Sequence, residues 1–258
     1  MNRIDKVFRE SVGPILNIYA TAGYPKLEDT RTVVRALAES GVDIIEIGMP
    51  YSDPVADGET IQESNQIALE QGMSVEKLFS QLSGFREEVD TPVILMGYVN
   101  PVLQYGVERF CQKCAEVGID GLILPDLPMS EYLSDYKEMF DRYGLYNIFL
   151  ITPQTSEERI RYIDEHSNGF IYMVSSASTT GAKTGISEEQ QAYFSRIASM
   201  NLKNPRLIGF GISDRASFIK ASEQASGAII GSAFVKLLGR ANNLREEIGA
   251  FVKGIKGN

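Results

Sequence analysis

Short β-branched runs alternate with longer segments of helical periodicity along the whole chain, and this alternation constrains the fold more than any other feature. The runs are ILNIYA (15–20), DIIEIG (43–48), PVILMG (92–97), GLILP (121–125), YNIFLI (146–151), GFIYMV (169–174), RLIGFG (206–211) and GAIIGS (227–232). Between them lie segments with apolar residues three and four apart, such as TRTVVRALAES (30–40) and EYLSDYKEMFDRYG (131–144), where Gly144 is placed to end the helix. LREEIGAFVKGI (244–255) closes the series. Strand-then-helix units specify a parallel sheet, because only a crossover helix returns the chain to start the next strand in the same direction. Eight such units in 258 residues match a closed barrel. The expected fold is therefore a single-domain (β/α)₈ TIM barrel over residues 1–258, with MNRIDKVFRES as an additional N-terminal helix. A doubly wound open sheet is the alternative, but TAGYPK after the first strand lacks the glycine fingerprint of a dinucleotide site.

Composition narrows the function. A net charge of −9 argues against a nucleic-acid or anionic-membrane surface, although a helix N-terminus can still hold a phosphate. No apolar run is long enough to span a bilayer, and the N-terminal segment lacks the apolar centre of a signal peptide. A cytoplasmic location is expected. Cys111 and Cys114 form a lone C-x-x-C on a helical segment, without a second pair to complete a zinc site, and read as incidental thiols. His166 is the only histidine and reads as a surface residue. No metal site is expected.

A barrel carries its chemistry at the C-terminal ends of its strands. In DIIEIG, side chains alternate between faces, so Ile45 and Ile47 pack on the helices while Ile44, Glu46 and Gly48 point inward. Glu46 then lies near the mouth, partly desolvated, where a raised pKa suits proton transfer; pairing with a neighbouring donor is the structural alternative. Asp57-Gly58 follows in the next loop, as a second mouth carboxylate or as a turn and helix cap. Asp53-Pro54 reads as a turn. Glycine loops follow strands six, seven and eight: STTGAKTG (178–185), GFGISD (209–214) and IIGSAF (229–234), with Ser213 and Ser232 where helices begin. Such loops form the phosphate cradle of a barrel. Tyr19 and Tyr172 lie in strands, with core packing as the default and hydroxyls able to reach the mouth. Lys183 sits in a loop, which does not suit a Schiff base. The small, polar segment 175–187 is expected to act as a lid over the mouth.

TAGYP (21–25), EIGMPYSDPVADG (46–58), NPVLQYG (100–106), GLILPDLP (121–128), TTGA (179–182), GFGIS (209–213) and GSAFV (231–235) together resemble the tryptophan synthase alpha subunit family along nearly the whole chain. The resemblance implies a barrel lyase that cleaves indole-3-glycerol phosphate to indole and glyceraldehyde 3-phosphate. It implies no cofactor in this chain. The implied partner is a beta subunit, in an alpha-beta-beta-alpha heterotetramer, which holds pyridoxal phosphate and condenses indole with serine. Glu46 and Asp57 match the family's catalytic acids; Tyr19, Tyr172, Gly181, Gly211, Gly231 and Ser232 match its substrate-binding positions. Ile61, Tyr98, Leu124 and Ile151 are candidate pocket walls. Glu59 stands where many relatives have proline, and Ser176 where some have arginine. A self-sufficient lyase that releases free indole, and a non-catalytic barrel that only activates its partner, are the competing functions.

Overall fold

The computed structural model describes residues 1–55, 57–174, 187–209 and 211–257. The expected lid segment, with Gly181, Ser176 and Lys183 in it, lies outside the described residues except for Ser187. Among the described residues nine parallel strands form one sheet: β1 (Ile15–Thr21), β2 (Ile44–Gly48), β3 (Val93–Met96), β4 (Gly121–Ile123), β5 (Tyr146–Asn147), β6 (Leu150–Ile151), β7 (Ile171–Val174), β8 (Arg206–Gly209) and β9 (Gly227–Ile230). Their order is β5-β4-β3-β2-β1-β9-β8-β7-β6.

The two ends of that order are consecutive in the chain. Residues 146–151, expected as one strand, are two short ones: β5 pairs with β4, and β6 with β7. Between them, the Ile148 N–H donates to the Leu122 carbonyl, and the Phe149 carbonyl accepts from the Tyr172 N–H. One run thus joins both edges and closes the barrel. The split follows from strand stagger, since neighbours in a sheared barrel meet a given strand at different heights.

Alternation holds as read. Ile45 and Ile47 belong to the layer packed against the helices, with Leu16, Ile18 and Ala20 of β1. Ile44 faces the interior with Ile15, Ile94, Ile123, Ile148, Leu207 and Ile229. β-Branched side chains fill the tapering interior well because they are stiff at χ1. Cys111 and Cys114 are fully buried free thiols on helix Val107–Val117, where burial pushes both well above the usual thiol range.

The N-terminal helix, Arg3–Glu10, closes the end opposite the mouth. Asn2 caps it by accepting from the Ile4 N–H at 2.9 Å, and its amide donates to the Asp120 carbonyl at 2.7 Å. Ile4 is fully buried in the interior cluster, and the Phe8 ring lies 5.9 Å from that of Phe170. The Tyr146 hydroxyl donates to Asp5 at 2.6 Å. Asp120 also accepts from Arg3, Arg86 and the Val93 N–H, so a nearly inaccessible carboxylate ties the helix to the start of β3 and β4. The helix therefore covers the interior residues at this end of the barrel.

Candidate active site

Glu46 lies in β2, in register with Tyr19 of β1 and Ile94 of β3. It is 0 % exposed. Burial pushes its carboxyl up to about 8, opposed by a hydrogen bond from the Asn17 amide, which pulls it down. Asn17 Nδ2 donates to Glu46 Oε1 at 2.5 Å, while Glu46 Oε2 has no partner among the described residues. The structural alternative for Glu46, pairing with a neighbouring donor, is met at one oxygen by the Asn17 amide, but that donor carries no charge and desolvation outweighs it.

Asp57 follows β2 in a turn closed by its own N–H donating to the Pro54 carbonyl at 3.0 Å. It does not cap the following helix. Gly58 is the N-cap of helix Glu59–Glu70 and supplies no side-chain cap. The Asp57 carbonyl accepts from Gln62 Nε2 at 2.8 Å, which fixes the backbone and leaves the carboxylate for the interior. Burial raises that carboxyl to about 6, against a hydrogen bond from the Tyr98 side chain. Asp53 stays exposed, accepts from the Ser52 hydroxyl and serves the turn, as expected.

Tyr19 and Tyr172 complete the mouth. Both are almost fully buried, and burial pushes both phenols above their ordinary range. The charges of Glu46 and Asp57 act on each, so four of the expected residues share one site. Two glycines, Gly48 on the inward face of β2 and Gly209 at the end of β8, make this possible. A methyl group at Gly48 would overlap the Tyr19 hydroxyl, and one at Gly209 would overlap the Tyr172 hydroxyl. Helix Glu59–Glu70 is pinned above β1 by Ser64, whose hydroxyl lies 2.7 Å from that of Thr21. A narrow cleft between Tyr19, Asp57, Asn65, Tyr98 and Met96 opens beside the acids. Ile61 packs with Tyr19 and Val235, whereas Leu124 and Ile151 belong to the layer packed against the helices.

On the glycine side, Gly211 has φ +78°, a conformation that disfavours any side chain. The helix after β8, Arg215–Ser222, is capped by the Asp214 carboxylate rather than at Ser213. The helix after β9, Ser232–Arg240, has Gly231 as its N-cap and no side-chain cap. Among the described residues no side chain meets the Ser232 and Ala233 N–H groups or the partial positive charge of this helix end, whereas the neighbouring helix is already met by a carboxylate. A side chain at Gly231 would touch Tyr19 at 3.6 Å, so this helix end borders the acid side of the site.

Three residues carry more than their sequence positions suggested. Tyr98 is a hydrogen-bond donor to Asp57 as well as a wall. Asn17 holds Glu46, and its signal was legible as a polar residue on the inward face of an apolar strand. Asn65 is buried in the cleft wall, with its Oδ1 unpartnered among the described residues.

The sequence model of the family described as "Tryptophan synthase alpha chain" matches residues 9–254. The tryptophan synthase alpha chain of Christiangramia forsetii is 57% identical over 256 residues, 99% of each chain. Among solved structures, the tryptophan synthase alpha chain of Legionella pneumophila superposes with a TM-score of 0.90 at 34% identity, over 100% of this chain and 97% of that one. A chain of the tryptophan synthase complex of Pyrococcus furiosus gives 0.85 at 32% identity, over 95% and 98%. With the mouth acids, the tyrosines and the open helix end held in one barrel, and with matches that run nearly the whole length, the chain belongs to the tryptophan synthase alpha chain family.

Proposed function

We propose that this barrel cleaves indole-3-glycerol phosphate to indole and glyceraldehyde 3-phosphate, the lyase reaction of its family, with Glu46 as the proton-transfer group and Asp57 as the anion that supports the ring. The observation that carries the site assignment is the fully buried Glu46 carboxyl, pushed up to about 8 beside Asp57 and two neutral tyrosines.

The chemistry follows from the two environments. Near neutral pH Glu46 is an acid and Asp57 is mostly an anion, so two carboxyls do different work. The Glu46 O–H breaks as its proton goes to indole C3, and the ring's π pair forms the new C–H bond. Positive charge develops on the ring nitrogen, whose N–H Asp57 accepts and stabilises in a desolvated site. The Glu46 carboxylate then takes the proton of the glyceryl hydroxyl. A carbonyl forms, the carbon–carbon bond breaks, and its electron pair returns to the indole ring. The step needs no oxidant and no Schiff base. Tyr19 and Tyr172 pack the substrate, and the phosphate sits at Gly231 and Ser232, with Gly211 shaping the adjoining loop. Gly181 is assigned to the same cradle from family resemblance alone.

A beta subunit holding pyridoxal phosphate is the proposed partner, in a cytoplasmic heterotetramer. The solved tryptophan synthase complexes among the structural relatives support it. So does the mouth surface: Val55 is 87 % exposed in the Asp57 loop and Leu103 is 47 % exposed on helix Val99–Tyr105. Asn100 Nδ2, on that helix, donates to the Tyr51 hydroxyl at 3.3 Å, so the two exposed apolar side chains belong to joined segments.

An indole-release assay, with and without a beta subunit, tests the reading. Glu46→Gln should lose about 10²–10⁴-fold in rate while keeping its fold. Asp57→Asn should also be severely impaired, and near-normal turnover in either folded variant removes that residue from the mechanism. The pH dependence of kcat/KM is expected to be bell-shaped, with an acid limb near about 6 from Asp57 and an alkaline limb near about 8 from Glu46. Because the Tyr98 hydrogen bond lowers the Asp57 value, Tyr98→Phe should move the acid limb up and leave the alkaline limb in place; an acid limb that stays put separates Tyr98 from Asp57. For the phosphate, Ser232→Asp places a carboxylate at the open helix end and should raise KM at least about tenfold, whereas an unchanged KM puts the anion elsewhere.

A further inference from the structure

The Asn17 carboxamide has no reason to be where it is on packing grounds. It lies on the inward face of β1, 0 % exposed, in register with Ile44 of β2 and Ile229 of β9. An apolar side chain of similar size would fill the same space without the cost of burying an amide. The hydrogen bond found for it is the one its Nδ2 donates to Glu46 Oε1, and its own Oδ1 has no partner among the described residues.

That bond makes the two oxygens of Glu46 inequivalent. An oxygen that accepts an N–H takes the carbonyl role in the protonated acid, so the proton resides on the other oxygen. Oε2 is the other oxygen, and it too has no partner among the described residues. An acid proton with no acceptor among the described residues, in a site covered from below, is directed to whatever enters from the mouth. When the group is ionised, the same N–H stabilises the carboxylate and pulls its affinity for a proton down, against the strong upward push of burial.

We infer that Asn17 is a positioning residue for proton transfer: by holding Glu46 Oε1 it assigns the delivered and returned proton to Oε2 and keeps the carboxyl facing the substrate. The inference rests on the proposed acid role of Glu46. Among the described residues, the other titratable groups around Glu46 are Tyr19 from β1, Tyr172 from β7, and Asp57 with its Tyr98 partner; from β3 the register neighbour is the apolar Ile94. Both Tyr19 and Tyr172 are pushed above their ordinary range, and Asp57 titrates near about 6, so the alkaline limb belongs to Glu46.

The test is the pH profile of indole-3-glycerol phosphate cleavage by the complex with the beta subunit, for wild type, Asn17→Leu and Asn17→Thr, with melting temperatures measured in parallel. Leu removes the donor at similar volume. Thr is smaller and too short to reach Glu46, and it decides the matter if the Leu variant fails to fold. Loss of a hydrogen bond to a charged group should move the alkaline limb up by about one to two pH units. It should lower kcat about tenfold or more and leave KM within about twofold, as expected for an interaction that matters in the transition state. A purely structural amide would change the melting temperature and leave the limb where it is in wild type; that result overturns the inference. Failure of the underlying reading looks different: the wild-type profile lacks an alkaline limb, or Glu46→Gln keeps turnover, and the role of Asn17 falls with that of Glu46.

Discussion

The site depends on a carboxyl group removed from water with no countercharge beside it among the described residues. Glu46 is fully buried and meets an amide instead of a cation, so desolvation sets its protonation state. A lysine or arginine in the place of Asn17 would reverse the outcome, holding the group ionised and unable to give a proton near neutrality. Much of the surrounding structure keeps this arrangement dry. The N-terminal helix closes the barrel from below with Ile4 and Phe8, and the tyrosines of β1 and β7 flank the acid. Desolvation also separates Glu46 from Asp57, which sits in a less buried loop and titrates lower.

Barrel closure is the second requirement, because the site is assembled across it. Glu46 and Tyr19 come from adjacent strands, but Tyr172 and the open helix end at Ser232 come from the other half of the chain. They meet because β1 pairs with both β2 and β9, and because residues 146–151 join the remaining edges. Gly48 and Gly209 then give the two phenols room at the strand ends. Closure thus brings the open helix end after β9 beside Tyr19 and the acid side of the site, although the two come from opposite ends of the chain.

Much of this was legible in the sequence where the physical signal is local. Period-two alternation in DIIEIG sent Glu46 inward and its isoleucine neighbours outward, as found. Glycine at a strand-to-helix junction marked the open helix end at Gly231. Signals that depend on distant partners were not legible. The split of YNIFLI arises from the stagger of two neighbouring strands, and its composition carries no trace of it. Tyr98 read as a wall because its acceptor lies 41 positions earlier in another segment. The cap of the helix after β8 fell one residue late, on Asp214, since serine and aspartate serve equally well there. Asn17 was the missed opportunity: a polar residue facing inward from an apolar strand is the same anomaly as Glu46, one strand earlier.

The most direct measurement of the central claim is the protonation state of Glu46 itself. Infrared difference spectra of the wild-type chain minus Glu46→Gln, recorded across pH, isolate the carbonyl stretch of that one protonated carboxyl. The account predicts that the band is present at about pH 7 and disappears with a midpoint near about 8. Loss of the band within the ordinary glutamate range, near about 4, would contradict it, because a carboxyl already ionised at neutral pH has no proton to deliver to the indole ring.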